Sequence, residues 1–191
     1  MLPKPNYSVL TSTFIGITLV LIFGGIGMFN NLKKNTTNKM NNLHKINNQL
    51  LQEVDSLNTV LDSLPLGFPL DTIIINDKFG IRKDPILKVW RKHQGIDLEG
   101  TYRDTIYSTG SGTIVRSGWR LGYGRCVEIK HIGGYKSLYA HMNKLFVKKG
   151  DKIKDKQKIG TVGSTGFSTG THLHYEISRD GKTTDPEKYL I

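Results

Sequence analysis

The apolar positions of this chain change their spacing twice. From residue 9 to residue 29 Val, Leu, Ile, Phe and Gly dominate, and no charged residue occurs between Pro5 and Leu32. As a helix rising about 1.5 Å per residue, that run reaches roughly 31 Å, enough to cross a bilayer core. The expectation is a retained single-pass anchor within residues 1–34. A cleaved signal peptide is the rival, with Gly25 and Gly27 imitating its small-residue site, but its apolar region is normally shorter. Lys33, Lys34, Lys39 and Lys45 behind the run, against Lys4 ahead of it, lean toward a cytoplasmic bulk domain by the positive-inside rule. Long domains translocate despite such a bias, so this is an objection to an external location and not an exclusion of one.

Between residues 40 and 64 the apolar period becomes seven. Met40, Asn47, Val54 and Leu61 fall at a, and Leu43, Leu50, Leu57 and Leu64 at d. An all-leucine d seam with one polar a residue fits a short parallel coiled coil of two copies, in which Asn47 fixes the register. The other reading lays the same stripe on the chain's own domain. Residues 35–66 are therefore assigned to a helix and linker, which Pro65 and Gly67 end.

From about Gly67 the period falls to two. TIIIN, GTIVRSG, RCVEIKHI, SLYAHM, KIGTVG and LHYEI alternate apolar and polar residues between glycines, which predicts eight or more short strands in a mainly β sandwich or barrel over residues 67–191. The phrase VKKGDKIKDKQKIGTVG reads as tight hairpins.

Composition narrows the function. With 191 residues, the chain has room for one ordinary domain plus accessories. Its formal net charge of +11 favours an anionic contact, with nucleic acid, anionic lipid or an acidic cell-wall polymer, and charge alone does not choose among them. The lysines are scattered and no nucleic-acid-binding spacing accompanies them, so nucleic acid is not an expected partner. Cys126 is the single cysteine, which excludes an intramolecular disulfide and a cysteine-based zinc site; a small buried strand residue is its expected role.

Three stretches carry candidate chemistry. In GTHLHYEI, His172 and His174 lie two apart on a predicted strand and share a face. RKHQGIDLEG supplies His93 and Asp97, four apart, and SLYAHMN supplies His141. Imidazole and carboxylate suit zinc, and a catalytic site keeps three protein ligands with one open position, so some of these groups should stand free beside the metal. The spacing does not say which.

The ordered set FGIRKDP, HQGID, GYGRCVEIKH, LYAHM, VKKGDKIKDKQKIG and GSTGFSTGTHLHYEI resembles the M23 family of zinc metallopeptidases, the LytM or lysostaphin-like peptidoglycan endopeptidases, over residues 79–186. The resemblance implies a LytM-like antiparallel β-sheet domain over 67–191, with a groove flanked by loops and TVGSTGFSTG near the site. It implies that His93, Asp97 and His174 bind Zn2+, while His141 and His172 stay free at the water and the scissile carbonyl. It further implies peptidoglycan peptide stems as substrate, with the domain facing the periplasm or cell wall.

Two other functions are weighed against this one. A non-catalytic scaffold or activator of another wall hydrolase suits the helical architecture, whereas the intact five-residue set favours an enzyme. A biotinyl, lipoyl or phosphocarrier domain resembles GDKIKDKQKIGTVG alone and has no use for His93 and Asp97. His131 is expected to be structural, His44 solvated, and Ser164, Ser168 and Thr169 loop-shaping. Glu176 is expected on the face opposite His174 and outside the site.

Overall fold

The computed structural model describes residues 7–191 apart from Pro85 and Leu87, with the backbone alone for residues 7–17. It divides into two compact units, Met1–Asp55 and Ser56–Ile191. Helix α1 runs unbroken over Tyr7–Asp62, because no proline interrupts it and its few glycines weaken it by only about 1 kcal/mol each. Met40, Leu43, Leu50 and Val54 of the heptad stripe are exposed on the single chain. Leu64, the last d position of that heptad, lies beyond the helix end; a residue before proline is pushed out of the helical region. The first part of the expected membrane span, residues 9–17, falls outside the described side chains. Among the described residues no helix is long and apolar enough to cross a membrane.

Among the described residues thirteen short strands follow: β1 (Ile75–Asp77), β2 (Gly80–Lys83), β3 (Trp90–His93), β4 (Ile96–Glu99), β5 (Thr105–Tyr107), β6 (Gly112–Arg120), β7 (Gly124–Lys130), β8 (Tyr135–Met142), β9 (Lys144–Leu145), β10 (Lys152–Ile153), β11 (Lys158–Thr161), β12 (His172–Arg179) and β13 (Lys182–Thr184). An eight-stranded sheet has the order β1-β4-β12-β8-β7-β6-β10, with β13 pairing β12. A three-stranded sheet, β5-β11-β9, and the hairpin β2-β3 complete the domain.

Alternation decides what each face of the large sheet carries. Ile96 and Leu98 on β4, Val127 and Ile129 on β7, Tyr139 on β8, and Leu173, Tyr175 and Ile177 on β12 are fully buried in one core, which Ile106 and Ile159 of the smaller sheet join. In that core the Tyr139 and Tyr175 hydroxyls both meet Thr109 Oγ1, at 2.9 and 2.8 Å. The interleaved residues point the other way. Cys126, Leu138 and Ala140 form a small apolar floor there with Tyr123 beside it, so Cys126 is buried as expected, and burial pushes its thiol pKa up. The register sets Asp97 and Ala140 on either side of His174. The central strand thus presents its histidines above an apolar floor.

Candidate metal centre and its cleft

The motif HQGID works through a turn. His93 ends β3 and Asp97 is the second residue of β4, and Gly95 between them lies against β12 so closely that a Cβ would overlap the Tyr175 carbonyl and crowd Glu176. The hairpin partner β2 contributes Arg82, opposite Arg91 and on the same face as His93.

His141 reaches the site by a different device. Its neighbours Tyr139 and Met142 face the core while Ala140 faces the site, so plain alternation from Ala140 would send His141 to the core side. Its backbone instead adopts φ 60°, a left-handed conformation that costs a non-glycine residue about 1–2 kcal/mol. A register irregularity in the β7-β8 pairing lies between Arg125 and Val127. The ring ends 4.8 Å from that of His172 and 5.8 Å from that of His174. All five residues named from the sequence line one cleft of about 350 Å³, together with Arg82, Tyr123, Leu121 and Phe167.

Backbone carbonyls fix three of the four imidazoles, and because a carbonyl only accepts, the nitrogen facing it must carry the proton. His93 Nδ1 donates to Lys78 O at 2.9 Å, His141 Nδ1 to Thr165 O at 2.7 Å, and His172 Nδ1 to Gly170 O at 3.0 Å. Each therefore presents Nε2 to the cleft. The carbonyl partners of His141 and His172 both come from the glycine-rich run, which the resemblance places near the site; Thr165 Oγ1 braces that loop through backbone hydrogen bonds, and Ser168 Oγ donates to Gly170 O and lies 3.4 Å from His172 Nδ1.

Asp97 Oδ1 lies 3.3 Å from His93 Nε2 and 2.8 Å from His174 Nδ1, and the two nitrogens are 3.1 Å apart. Among the described residues, His93, Asp97 and His174 form a group whose donor atoms all lie within 4.8 Å of one another. Ligands bound about 2.0–2.1 Å from a tetrahedral zinc would be separated by roughly 3.3 Å, so the observed spacings fit with small relaxation. The chemistry fits as well. When His93 and His174 carry their protons on the outer nitrogens, three lone-pair acceptors converge without a donor, and a cation is what relieves their repulsion.

A proton on His174 is one such cation. Burial alone would lower the His174 pKa, but its hydrogen bonds and charge interactions with Asp97 and Glu176 outweigh that and raise it to about 9. Burial likewise opposes ionisation of Asp97, yet the two histidines hold its carboxyl well below the usual range. His141 is different: burial, against the opposing hydrogen bond to Thr165, pushes it down to about 4. It is a neutral imidazole at neutral pH.

Glu176 corrects the sequence reading. It does not turn away from His174, because residues two apart on a strand share a face, and the alternation that pairs His172 with His174 extends to it. Its Oε1 accepts from His174 Nε2 at 3.0 Å and from the Tyr123 hydroxyl at 2.8 Å. Arg82 was also missed. Its guanidinium bonds Asp97 Oδ2 at 3.3 Å and Asp77 at 3.2 Å, leaving Oδ1 to the histidines. The HxHxE spacing contained the signal for Glu176; nothing local in FGIRK marks Arg82, whose role depends on the β2-β3 pairing.

His131 stays outside the cleft, its ring spanning Ser111 O and Ser137 Oγ, and burial lowers its pKa. His44 is exposed on α1.

Residues 91–186 match the family model for peptidase family M23. The chain belongs to peptidase family M23. Among M23 relatives, the DD-carboxypeptidase/endopeptidase Mpg of Neisseria meningitidis is 38% identical over 123 residues, 63% of this chain and 28% of its own length. The murein hydrolase activator NlpD of Escherichia coli is 42% identical over 99 residues, 51% of this chain and 26% of its own. The chain thus spans well under half of either relative. Among solved structures, a zinc-containing peptidase from Vibrio cholerae superposes with a TM-score of 0.58 at 34% identity, covering 62% of this chain and 37% of that one. The catalytic domain of lysostaphin from Staphylococcus simulans gives 0.56 at 30% identity, covering 62% and 92%. The fold of this M23 chain is accordingly a mainly β, LytM-like domain preceded by one helix.

Proposed function

We propose that this M23 protein is a zinc-dependent endopeptidase that hydrolyses peptide cross-links of bacterial peptidoglycan. The observation that carries the reading is the convergence of His93 Nε2, Asp97 Oδ1 and His174 Nδ1 beside two further imidazoles, of His141 and His172, whose Nε2 atoms face the cleft, that of His172 lying 3.7 Å from Asp97 Oδ1. Zinc held by the three donors supplies Lewis-acid polarisation of a carbonyl and acidification of water.

The chain's own residues do the rest. His141 and His172, with Nδ1–H engaged by carbonyls, each offer an Nε2 lone pair to the cleft. Such a group takes a proton from the attacking water and, once charged, donates to the developing oxyanion or the leaving amine. In the net step the water oxygen joins the acyl carbon, the C–N bond breaks, and the proton carried by an imidazole ends on the amine. Arg82 holds Asp97 while this happens, and Leu138, Ala140 and Cys126 close the site from beneath with apolar side chains.

The apolar run of residues 9–29 supports a membrane anchor with the peptidase domain on the periplasmic or wall side, and the leucine stripe of α1 supports pairing of two copies. A second reading, a non-catalytic activator of another murein hydrolase, draws on the likeness to the activator NlpD. Mass spectrometry of muropeptides separates the two. The full-length chain is incubated with purified peptidoglycan in the presence of zinc, with chelator, and as His141→Ala. New fragments that vanish in both controls support the endopeptidase. No fragments despite bound zinc, with stimulation of a separately added hydrolase, would move the assignment to the activator.

A further inference from the structure

Glu176 is 8% exposed directly behind His174, and no step above uses it. One oxygen, Oε1, makes both of its contacts, to His174 Nε2 and to the Tyr123 hydroxyl. The register sets it opposite Leu138, beside the apolar floor. Tyr123 is fixed in turn by Arg120, whose guanidinium carbon stacks 4.4 Å from its ring centre. The Tyr123 backbone carbonyl accepts the His141 N–H at 2.9 Å.

We propose that Glu176 is a positioning residue that makes Nδ1, not Nε2, the metal-facing nitrogen of His174, with Tyr123 as its lock. The inference rests on the metal reading above. A neutral imidazole carries one proton, and the nitrogen without it supplies the lone pair. With the Nε2 proton held by Glu176, the Nδ1 lone pair points at the meeting place of His93 Nε2 and Asp97 Oδ1. Without an acceptor behind it, the ring is free to carry its proton on Nδ1, bond Asp97 directly and offer the metal nothing. His93 needs no such residue, because the Lys78 carbonyl does the same task. His174 sits mid-strand, its own carbonyl neighbours engaged in the sheet, so a side chain must do it. An outer carboxylate of this kind orients its histidine and sets metal affinity. Tyr123 further ties this support to the segment carrying His141, so one residue steadies a ligand and a free base together.

The test is zinc affinity, measured on the full-length chain by competition with a chromophoric chelator, without reference to hydrolysis. Glu176→Ala should weaken zinc binding about 10- to 100-fold. Glu176→Gln keeps an Oε1 acceptor for both partners and should stay within about threefold of wild type, whereas Tyr123→Phe should give a smaller loss than alanine at 176. A role confined to packing would lower the urea midpoint of Glu176→Ala while its folded fraction bound zinc like wild type, which would overturn the proposal. Should the alanine variant not fold, Glu176→Asp, which withdraws the oxygen by one methylene, carries the comparison, and wild-type affinity there would also overturn it. A glutamine variant as weak as alanine would overturn orientation as the cause. If the wild type itself bound no zinc, the metal reading would fall; if it bound zinc and Glu176→Ala matched it, only this inference would.

Discussion

Gly124→Ala is the substitution whose effect can be worked furthest from the structure. Gly124 has φ +66°, and an added Cβ would lie 2.5 Å from Thr165 Oγ1 and closer still to the Thr165 carbonyl. The left-handed backbone costs alanine about 1–2 kcal/mol. Ordinary contact begins near 3.4 Å, so Thr165 must retreat by about 1 Å, at an overpacking cost of about 1–3 kcal/mol. That retreat stretches the 2.7 Å bond from His141 Nδ1 to Thr165 O past any useful length, and it frees the ring of the catalytic candidate. The expected result is about 2–5 kcal/mol of lost stability by urea denaturation, with turnover down on the order of 100-fold. Zinc stoichiometry should not change, because His93, Asp97 and His174 are held by β3, β4 and β12. Gly181→Ala isolates the backbone contribution, since that residue has φ +80° with nothing within 4 Å of the added Cβ. It should lose only the first contribution and keep full turnover. A Gly124→Ala protein with stability within about 0.5 kcal/mol of wild type and unaltered turnover would refute the claim that this contact sets His141.

Four further outcomes are expected. His93→Ala should lose more zinc affinity than the about 10- to 100-fold typical of an outer partner, read as zinc content after dialysis; retained stoichiometric zinc would remove it as a ligand. Thr109→Val leaves the Tyr139 and Tyr175 hydroxyls short of a buried partner, for a loss of about 1–3 kcal/mol in urea with unchanged turnover per folded molecule; a neutral result would mean the hydroxyls find other partners. In the metal-free protein, residue 141 is protonated near pH 6.5 when unfolded and only near about 4 when folded, so the unfolded chain binds the extra proton between those values. Stability should therefore fall by up to about 3 kcal/mol as pH drops through that window, and His141→Gln should flatten that part of the curve. If the +11 charge retains the protein on anionic wall polymers, binding should weaken as salt rises from about 0.1 to 1 M; salt-insensitive retention would refute a charge-based contact.

The strand-rich domain was legible because its buried positions really do recur every second residue, from Ile96 and Leu98 to Leu173, Tyr175 and Ile177. Four of the five cleft residues named from the sequence were legible because His93, Asp97, His172 and His174 sit in motifs whose spacing survives into the fold. Their division into ligands and free bases is part of the proposal. His141 is placed by a positive φ, which alternation from Ala140 cannot foresee. Arg82 and Tyr123 depend on cross-strand register and on contacts 15 and 53 residues away in the chain. Glu176 was present in the pattern and required only that the period pairing the two histidines be carried one step further. Helix α1 runs through the change of pattern near residue 34, because a helix tolerates both a uniformly apolar run and a heptad without any break between them.

The carbonyl oxygens of Lys78, Thr165 and Gly170 orient three histidines, and a carbonyl is the same group whatever side chain its residue bears. The orienting machinery is thus encoded in the path of the main chain and hidden from side-chain chemistry. In a saturation scan, position 78 should accept almost any residue while Gly95, Gly124 and Gly166, which set where loops and strands approach, accept almost none. Redesign of the cleft walls for a different substrate can therefore alter most side chains along these loops, provided the glycines that hold the backbone in place and the bracing hydroxyls of Thr165 and Ser168 are left alone.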